Sequence, residues 1–300
     1  MLVTVTIALM AGCLLMAAAI GLYGSEQLIK RRTPDVRADP SDYGLAYEEV
    51  AFRSRDGLTL RGWFIPAQRP RGTVIFCHGH VGSMDPDLKY APHFHRRGYH
   101  VLMFDFRGHG RSEGNRVSMG YYERLDLLGA LDYLRGRGIE RVGVLGFSMG
   151  GAVAMAAAPR SEAIRAVVSD GGFARLSSAV AAGARERGLP GLLAGPAARL
   201  IVALAGLRLG CKLSEADPIR WVDKIAPRAL LLIHGGRDPF VPTAEVEELY
   251  AKAKEPKELW IVPEAGHREV DLCRPEEYLA KVLDFFDNWV GQGGQRIHDG

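Results

Sequence analysis

The chain has 300 residues and a mass of 32.8 kDa, which is enough to bury a core in one large domain or two small ones. Hydrophobic residues make up 47% and charged residues 24%, which excludes a disordered chain, and 36 Gly with 16 Pro but no G-X-Y period exclude a fibrous one. The net charge of +3 is too small and too dispersed for a nucleic-acid-binding surface. The four cysteines show no C-x-x-C and no paired spacing, so we expect neither a disulfide framework nor a zinc site.

The first 24 residues carry no charged side chain. As a helix they would reach about 36 Å, enough to cross a hydrocarbon core of about 30 Å. No basic residue precedes this run, whereas Lys30, Arg31 and Arg32 follow it, which is the reverse of a signal peptide. We therefore expect residues 1–24 to be a single-pass membrane anchor. The positive-inside rule then places the following domain in the cytoplasm, and a cleaved signal segment of a secreted or periplasmic protein is the alternative.

A regular alternation of strands and helices is predicted after a polar linker over residues 25–43. Two extended runs flank the turn signal Arg55-Asp56-Gly57 and predict an antiparallel hairpin over 46–53 and 58–65. Six short apolar runs have the composition of strands buried on both faces: 73–77, 100–105, 141–146, 165–169, 229–234 and 258–262. Because helical patterns separate them, they predict an α/β domain over residues 44–292, with a mostly parallel sheet of about eight strands flanked by helices and a short tail at 293–300.

One interval of about sixty residues, between the runs at 165–169 and 229–234, has no strand signal. It is rich in Ala, Leu and Gly with scattered Arg, and an insertion of this length in a compact domain is usually functional. We expect a small helical cap over the strand ends at about 173–218. A second membrane span is the alternative, but Arg199 and Arg208 interrupt its apolar run.

The strongest chemical signal is the run Gly146-Phe147-Ser148-Met149-Gly150, which lies between a predicted strand and a small-residue helix at 151–158. A serine on a tight strand-to-helix turn needs glycine neighbours to avoid clashes, and the turn pushes its Oγ toward substrate. The helix N-terminus aims free N–H groups at the same place. This context predicts that Ser148 is a nucleophile rather than a plain turn residue.

A serine hydroxyl needs a base that is held by a carboxylate. Asp238 follows one predicted strand through a glycine turn, and His267 follows the next strand, so the chain has the order serine, acid, histidine. Both would lie at the carboxyl ends of neighbouring strands, where an open α/β sheet binds its ligands. We expect Asp238 to orient the imidazole and His267 to accept the Ser148 proton. The alternatives are a turn-capping acid and a surface histidine.

A developing oxyanion needs two fixed N–H donors. We assign one to the backbone of Met149 and the other to the backbone of His80, in the loop His78-Gly79-His80-Val81-Gly82, with Val81 as the alternative donor.

Clustered histidines between positions 78 and 109 raise the hypothesis of a metal site. His93 and His95, however, are two residues apart in a helical stretch and point to different faces. The segment 104–112 combines glycine and charge without the spacing of a dinucleotide fingerprint, and its polar groups suit a structural role in a loop. We therefore expect no metal and no cofactor.

Together these motifs resemble those of α/β-hydrolase fold serine hydrolases. Gly146–Gly150 matches the nucleophile elbow, His78-Gly79 the oxyanion loop, and Asp105–Ser112 the D-x-R-G-x-G-x-S segment after the fourth strand. The resemblance spans residues 43–290, and the predicted anchor is similar to the Bem46-like members. Their usual loop reads H-G-N-x-G, whereas His80 takes the place of the Asn here.

The resemblance and the ordered Ser148, Asp238 and His267 predict a serine hydrolase that cleaves an ester, thioester or amide through an acyl-enzyme. The apolar cap indicates an apolar or lipid-like acyl substrate, unless its apolar residues merely cover the sheet. The alternatives are acyl transfer or other chemistry with the same three residues, and a catalytically silent binding protein on this fold. The oligomeric state stays open.

Overall fold

An eight-stranded sheet forms the centre of the computed structural model, which describes residues 1–34 and 37–291. Its strands are β1 (Glu48–Arg53), β2 (Thr59–Ile65), β3 (Gly72–Cys77), β4 (Tyr99–Phe104), β5 (Val142–Phe147), β6 (Ile164–Asp170), β7 (Ala229–Gly235) and β8 (Lys257–Val262). They lie in the order β1-β2-β4-β3-β5-β6-β7-β8. The hairpin β1–β2 is antiparallel, β2 pairs antiparallel with β4, and every other pair is parallel. The predicted α/β class is confirmed, and each strand lies within two residues of its prediction.

Helices cover both faces of this sheet, which explains why its central strands are continuously apolar. The helices are α1 (Leu2–Ile29), α2 (Ala91–Arg96), α3 (Glu123–Gly136), α4 (Met149–Ala157), α5 (Leu176–Glu186), α6 (Gly191–Leu209), α7 (Thr243–Lys252), α8 (Val270–Cys273) and α9 (Pro275–Trp289). The core on one face includes residues of α3, α4 and α7, and the core on the other includes residues of α2 and α9. Every residue of β5 is buried between the two cores, which fixes the position of the serine that follows it.

The N-terminal helix is longer than predicted and is attached to the domain at its C-terminal end. Gly21, Ser25 and Ile29 are buried at four-residue spacing, and Ile29 belongs to the main core. Directly after the helix, Lys30 forms a β-bridge with Arg116. The predicted boundary between an anchor at 1–24 and a linker at 25–43 is therefore wrong, because residues 25–29 are helical and packed. The polar residues at 25–27 gave them the composition of a linker.

The remaining predicted boundaries concern the cap and the tail. The interval between β6 and β7 contains α5 and α6, followed by the short 3-10 helices Leu213–Ala216, Pro218–Arg220 and Val222–Lys224. Helical structure thus occupies the interval predicted as a cap. The predicted tail at 293–300 lies outside the described residues.

Two helices in the described part of the chain are long and apolar enough to cross a membrane. They are α1, with a mean hydropathy of 2.3 and no burial in its most apolar window, and α6, with a mean hydropathy of 1.6 and partial burial. An unburied apolar helix near the N-terminus has the properties of an anchor or of a signal sequence.

Candidate active site

Ser148 occupies the sharp turn between β5 and α4, with φ of 52° and ψ of −113°. Its backbone N–H donates a 2.7 Å hydrogen bond to the carbonyl oxygen of Asp170, at the end of the neighbouring strand β6. The glycine requirement is steric, because a Cβ at Gly150 would lie 1.9 Å from the carbonyl oxygen of Cys77. The helix after the serine begins at Met149, two residues earlier than predicted.

The structure brings the predicted acid and base to this serine. His267 Nε2 lies 3.0 Å from Ser148 Oγ, and His267 Nδ1 lies 2.6 Å from Asp238 Oδ2. The Asp238 side chain is fully buried and that of His267 is 19% exposed. A carboxylate beside Nδ1 stabilises the tautomer with its proton there, which leaves Nε2 free to accept the serine proton.

The Asp238 carboxylate is itself held in place. Its Oδ1 accepts hydrogen bonds from the backbone N–H groups of Phe240 at 2.8 Å and Val241 at 2.9 Å. These bonds direct Oδ2 toward His267. The turn contacts and the contact with His267 are therefore made by different oxygens of one carboxylate, and the orienting function stays a prediction.

The loop after β3 lies against Ser148, where the sequence predicts an oxyanion-binding loop. A Cβ built on Gly79 would be 3.4 Å from the Cβ of Ser148. Met149 lies in the first turn of α4, where a backbone N–H has no partner within the helix. The assignment of the second donor to His80 or Val81 stays a prediction.

The His80 side chain contacts the end of the N-terminal helix. Its Nε2 accepts a 3.3 Å hydrogen bond from Arg32 Nε, and its ring also bonds to the backbone of Leu28. Burial, with a contribution from the charge of Arg32, lowers the pKa of His80 to about 3. The imidazole is therefore neutral near pH 7 and connects α1 to the loop beside Ser148.

Several of the clustered histidines use ring nitrogens in hydrogen bonds within the fold, although the buried Nε2 of His109 has no partner among the described residues. His78 Nε2 accepts the backbone N–H of Phe106 at 2.9 Å, and His78 Nδ1 lies 2.7 Å from the carbonyl oxygen of Gly79. In α2, His93 bonds to Arg96, and His95 lies 3.2 Å from the carbonyl oxygen of Pro66. Within residues 1–34 and 37–291, no group of three or more His, Cys, Asp or Glu is arranged to bind a metal ion.

The segment Asp105–Ser112 organises the loops beneath the site. Asp105 accepts backbone N–H groups of Met84 and Arg111, each at 2.8 Å, through its two carboxylate oxygens. The buried guanidinium of Arg107 pairs with Asp126 and Asp56. These contacts agree with the structural role expected for the segment.

Two charged residues beside the site were not predicted. Arg268 has a positive φ of 57°, lies 4.3 Å above the ring of Phe147 and forms an ion pair with the buried Asp87. Asp170 is fully buried, and burial raises its pKa to about 6. Its place at the carboxyl end of β6 was visible in the sequence, whereas the contacts of Arg268 depend on the loop after β3.

Comparison with known proteins identifies the class to which this fold and site belong. The model of the family described as "alpha/beta hydrolase fold" matches residues 72–192. The uncharacterised protein YqkD of Bacillus subtilis is 32% identical over 270 residues, which cover 88% of this chain and 87% of that protein. The uncharacterised protein YfhR of Escherichia coli K12 is 31% identical over 79% of this chain and 80% of its own.

A solved structure shares the architecture as well as part of the sequence. The Pyrococcus furiosus esterase Pf2001 superposes with a TM-score of 0.73 at 29% identity, covering 87% of this chain and all of that one. The chain belongs to the α/β-hydrolase fold family, as its sequence motifs predicted. Membership in this family supports hydrolase activity on a small-molecule substrate.

Proposed function

We propose that this protein is a serine hydrolase in which Ser148, His267 and Asp238 form the catalytic triad. The proposal depends above all on the two hydrogen bonds that join these residues, 3.0 Å from the serine to the imidazole and 2.6 Å from the imidazole to the carboxylate. Hydrogen-bond contact between nucleophile, base and orienting acid is the arrangement that acyl transfer needs.

The reaction begins when Ser148 Oγ attacks the substrate carbonyl carbon and His267 Nε2 takes the hydroxyl proton. The Asp238 carboxylate stabilises the resulting imidazolium. Backbone N–H groups of Met149 and His80 stabilise the negative oxygen of the tetrahedral intermediate. His267 then gives its proton to the leaving group, and the acyl group stays on Ser148.

The second half of the reaction hydrolyses this acyl-enzyme. His267 takes a proton from a water molecule, whose oxygen attacks the acyl carbon. Collapse of the second tetrahedral intermediate releases the carboxylic acid, and His267 returns the proton to Ser148.

We propose an ester, thioester or amide with an apolar acyl group as the substrate. Two observations support this class: the esterase from Pyrococcus furiosus has the same fold, and the cap helix α6 consists almost entirely of apolar residues. Apolar walls around a few convergent polar groups are typical of sites that bind small acyl substrates.

We also propose that α1 stays on the mature protein as a membrane anchor with the hydrolase domain on the cytoplasmic side. The helix is continuous from its exposed apolar part to Ile29 in the domain core, and the basic residues 30–32 follow it directly. The protein should therefore remain with the membrane fraction after an alkaline carbonate wash, whereas a cleaved or peripheral form would be released.

The activity is tested with full-length protein in detergent and p-nitrophenyl butyrate, a water-soluble ester. Ser148→Ala should reduce turnover to the background rate, whereas Ser41→Ala, at an exposed serine in the 40–43 turn, should match the wild type. Unchanged turnover in Ser148→Ala would overturn the nucleophile assignment. Release of the free acid in water, rather than acyl transfer to an added alcohol, would distinguish hydrolysis from acyltransferase activity.

A further inference from the structure

The cap helix α6 is apolar apart from Arg199 and Arg208, although one of its sides is exposed. Leu192 is 89% and Leu207 is 78% exposed, and Leu193 and Leu200 are exposed as well. At about 100° per residue, Leu192, Leu200 and Leu207 fall within about 80° of one another around the helix and therefore share a face. A helix that is hydrophobic all round is normally buried all round, in a protein core or in a membrane. A contiguous apolar face of this kind marks an interaction surface.

An adjacent side of α6, to which Leu200 also belongs, packs against the N-terminal helix. A Cβ at Gly21 would meet Leu200 and Leu204, and a Cβ at Gly24 would meet Ile201, so the two backbones approach closely. Further along both helices, Arg208 donates to Ser25 Oγ at 2.9 Å. The C-terminal ends of both helices lie at the domain, because Leu209 packs against the same core that contains Ile29, so the two helices run in broadly the same direction. The first half of α6 therefore projects to the same side as the free part of α1.

The free part of α1 has the length of a bilayer core. Residues 2–19 are all exposed, and 18 helical residues span about 27 Å, close to the hydrocarbon thickness of about 30 Å. Packing against α6 begins at Gly21, immediately after this segment. Leu200, which lies against Gly21, is therefore placed where α1 would leave the membrane, and the exposed leucines of α6 extend the apolar surface of α1.

Charge identifies the occupant of this face as a lipid surface. Arg185 and Arg187, at the end of α5, and Arg199, on α6, are exposed beside the leucines, and basic residues at such positions attract anionic headgroups. Arg199 also disfavours a second span, because a guanidinium is costly at the centre of a bilayer. In the interface its long side chain reaches the headgroups while the leucines enter the acyl region.

The cap connects this surface to the candidate active site. α5 packs on α6 through Ala181, which clusters with Ala194 and Ala198. A Cβ at Gly183 of α5 would lie 3.7 Å from the ring of Phe240, and that ring meets the His267 ring edge-on at 5.3 Å.

We infer that α6 lies in the membrane interface beside α1, so that the enzyme takes a lipid ester directly from the bilayer. The placement of α6 rests on the contacts with α1, and the origin of the substrate rests in addition on the proposed hydrolase function. The occupant is a bilayer that contains anionic lipid.

The placement is tested without activity, by spin labelling of full-length protein in nanodiscs that contain phosphatidylglycerol. Nitroxides are attached singly at Leu192→Cys and Leu207→Cys, after replacement of Cys13, Cys211 and Cys273. The matched control is Leu272→Cys, a leucine 69% exposed in α8. We expect oxygen to relax the two α6 labels more than a water-soluble nickel chelate does, and the reverse at position 272. Equal access of the chelate to all three positions would overturn the inference.

The source of the substrate is tested with the double variant Leu192→Glu/Leu207→Glu. Its turnover of p-nitrophenyl butyrate should stay within about twofold of the wild type, because neither residue touches Ser148 or His267. Its hydrolysis of a long-chain diacylglycerol in vesicles should fall at least about tenfold, because two buried leucine contacts with lipid are lost. Leu272→Glu should change neither rate.

The outcomes separate the two proposals. If the double variant hydrolysed the vesicle substrate at the wild-type rate, the proposal that the substrate comes from the bilayer would be overturned. The serine hydrolase proposal would remain intact. Hydrolysis of both substrates by Ser148→Ala would overturn the serine hydrolase proposal, and the spin labels would still decide the position of α6.

Discussion

Arg32 donates a hydrogen bond from Nε to His80 Nε2 over 3.3 Å, which joins the end of the N-terminal helix to the loop beside Ser148. The helix end is also anchored elsewhere, since the Arg32 backbone N–H donates to the carbonyl oxygen of Gly108 and Arg31 donates to that of Gly110. The apolar helix is thus connected to the proposed oxyanion loop through named contacts. Disturbing the helix end should affect catalysis from a distance.

Replacing Arg32 by Ala should lower kcat for p-nitrophenyl butyrate by about tenfold while KM changes little, because a misplaced oxyanion donor weakens transition-state binding. Arg135→Ala, at an exposed position near the end of α3, serves as the control and should behave as the wild type. Wild-type kcat in Arg32→Ala would show that the loop is held without this contact.

Stability should fall in acid because His80 is neutral in the folded protein. Burial lowers its pKa from 6.5 to about 3, so between these values the unfolded chain binds a proton that the folded chain does not. His80 stabilises the fold fully above pH 6.5, and this contribution falls by about 1.4 kcal/mol per pH unit toward pH 3.

Urea denaturation between pH 4.5 and 7.5 measures this effect. We expect His80→Asn to reduce the pH slope of the unfolding free energy by about one proton. The buried His109, whose pKa is also lowered by burial, is retained in the variant and keeps part of the slope. Identical slopes in the wild type and in His80→Asn would contradict a buried neutral imidazole at position 80.

Asp238→Asn should reduce kcat by about 10³ to 10⁴, because an amide at this position does not stabilise the imidazolium and favours the wrong histidine tautomer. The fold should persist, because the Asn side-chain oxygen can still accept the backbone N–H groups of Phe240 and Val241. Kinetics and circular dichroism on the same preparation separate the two effects. A variant within about tenfold of wild-type kcat would remove Asp238 from the proposed triad.

Gly150→Ala should destabilise the protein by about 2–4 kcal/mol, because the new Cβ meets the carbonyl oxygens of Cys77 and His78, which are backbone atoms that cannot move aside. Gly195→Ala, in α6, is the matched control. A Cβ there has no atom within 4 Å, so the substitution should be neutral or stabilising by up to about 1 kcal/mol. Thermal unfolding of both variants tests the comparison, and equal melting temperatures would contradict the steric explanation.

The relative positions of Ser148, Asp238 and His267 were predictable because each follows a strand of the same sheet. Ser148 comes directly after β5, Asp238 follows β7 and His267 follows β8. The carboxyl ends of these parallel strands meet at one edge of the sheet. Strand assignment was predictable for a related reason, since strands buried on both faces are short continuous apolar runs. The local sequence was therefore enough to predict the strands and the positions of the motif residues that follow them.

The contacts of Ile29, His80 and Arg268 were not predictable, because each depends on residues far away in the chain. Ile29 lies two positions after the polar run 25–27 and resembles part of a linker, yet its carbonyl oxygen accepts the backbone N–H of Val117. Arg268 pairs with Asp87, which is 181 positions earlier. No local pattern encodes such contacts, since they arise from the paths of loops over the assembled sheet.

The central claim is that Ser148 is the nucleophile, and fluorophosphonate labelling tests it most directly. Full-length protein in detergent is treated with the probe, and the modified residue is identified by peptide mass spectrometry. We predict stoichiometric phosphonylation at Ser148, strongly reduced in His267→Gln and absent in Ser148→Ala. Labelling that survives Ser148→Ala, or that maps to another residue in the wild type, would contradict the claim.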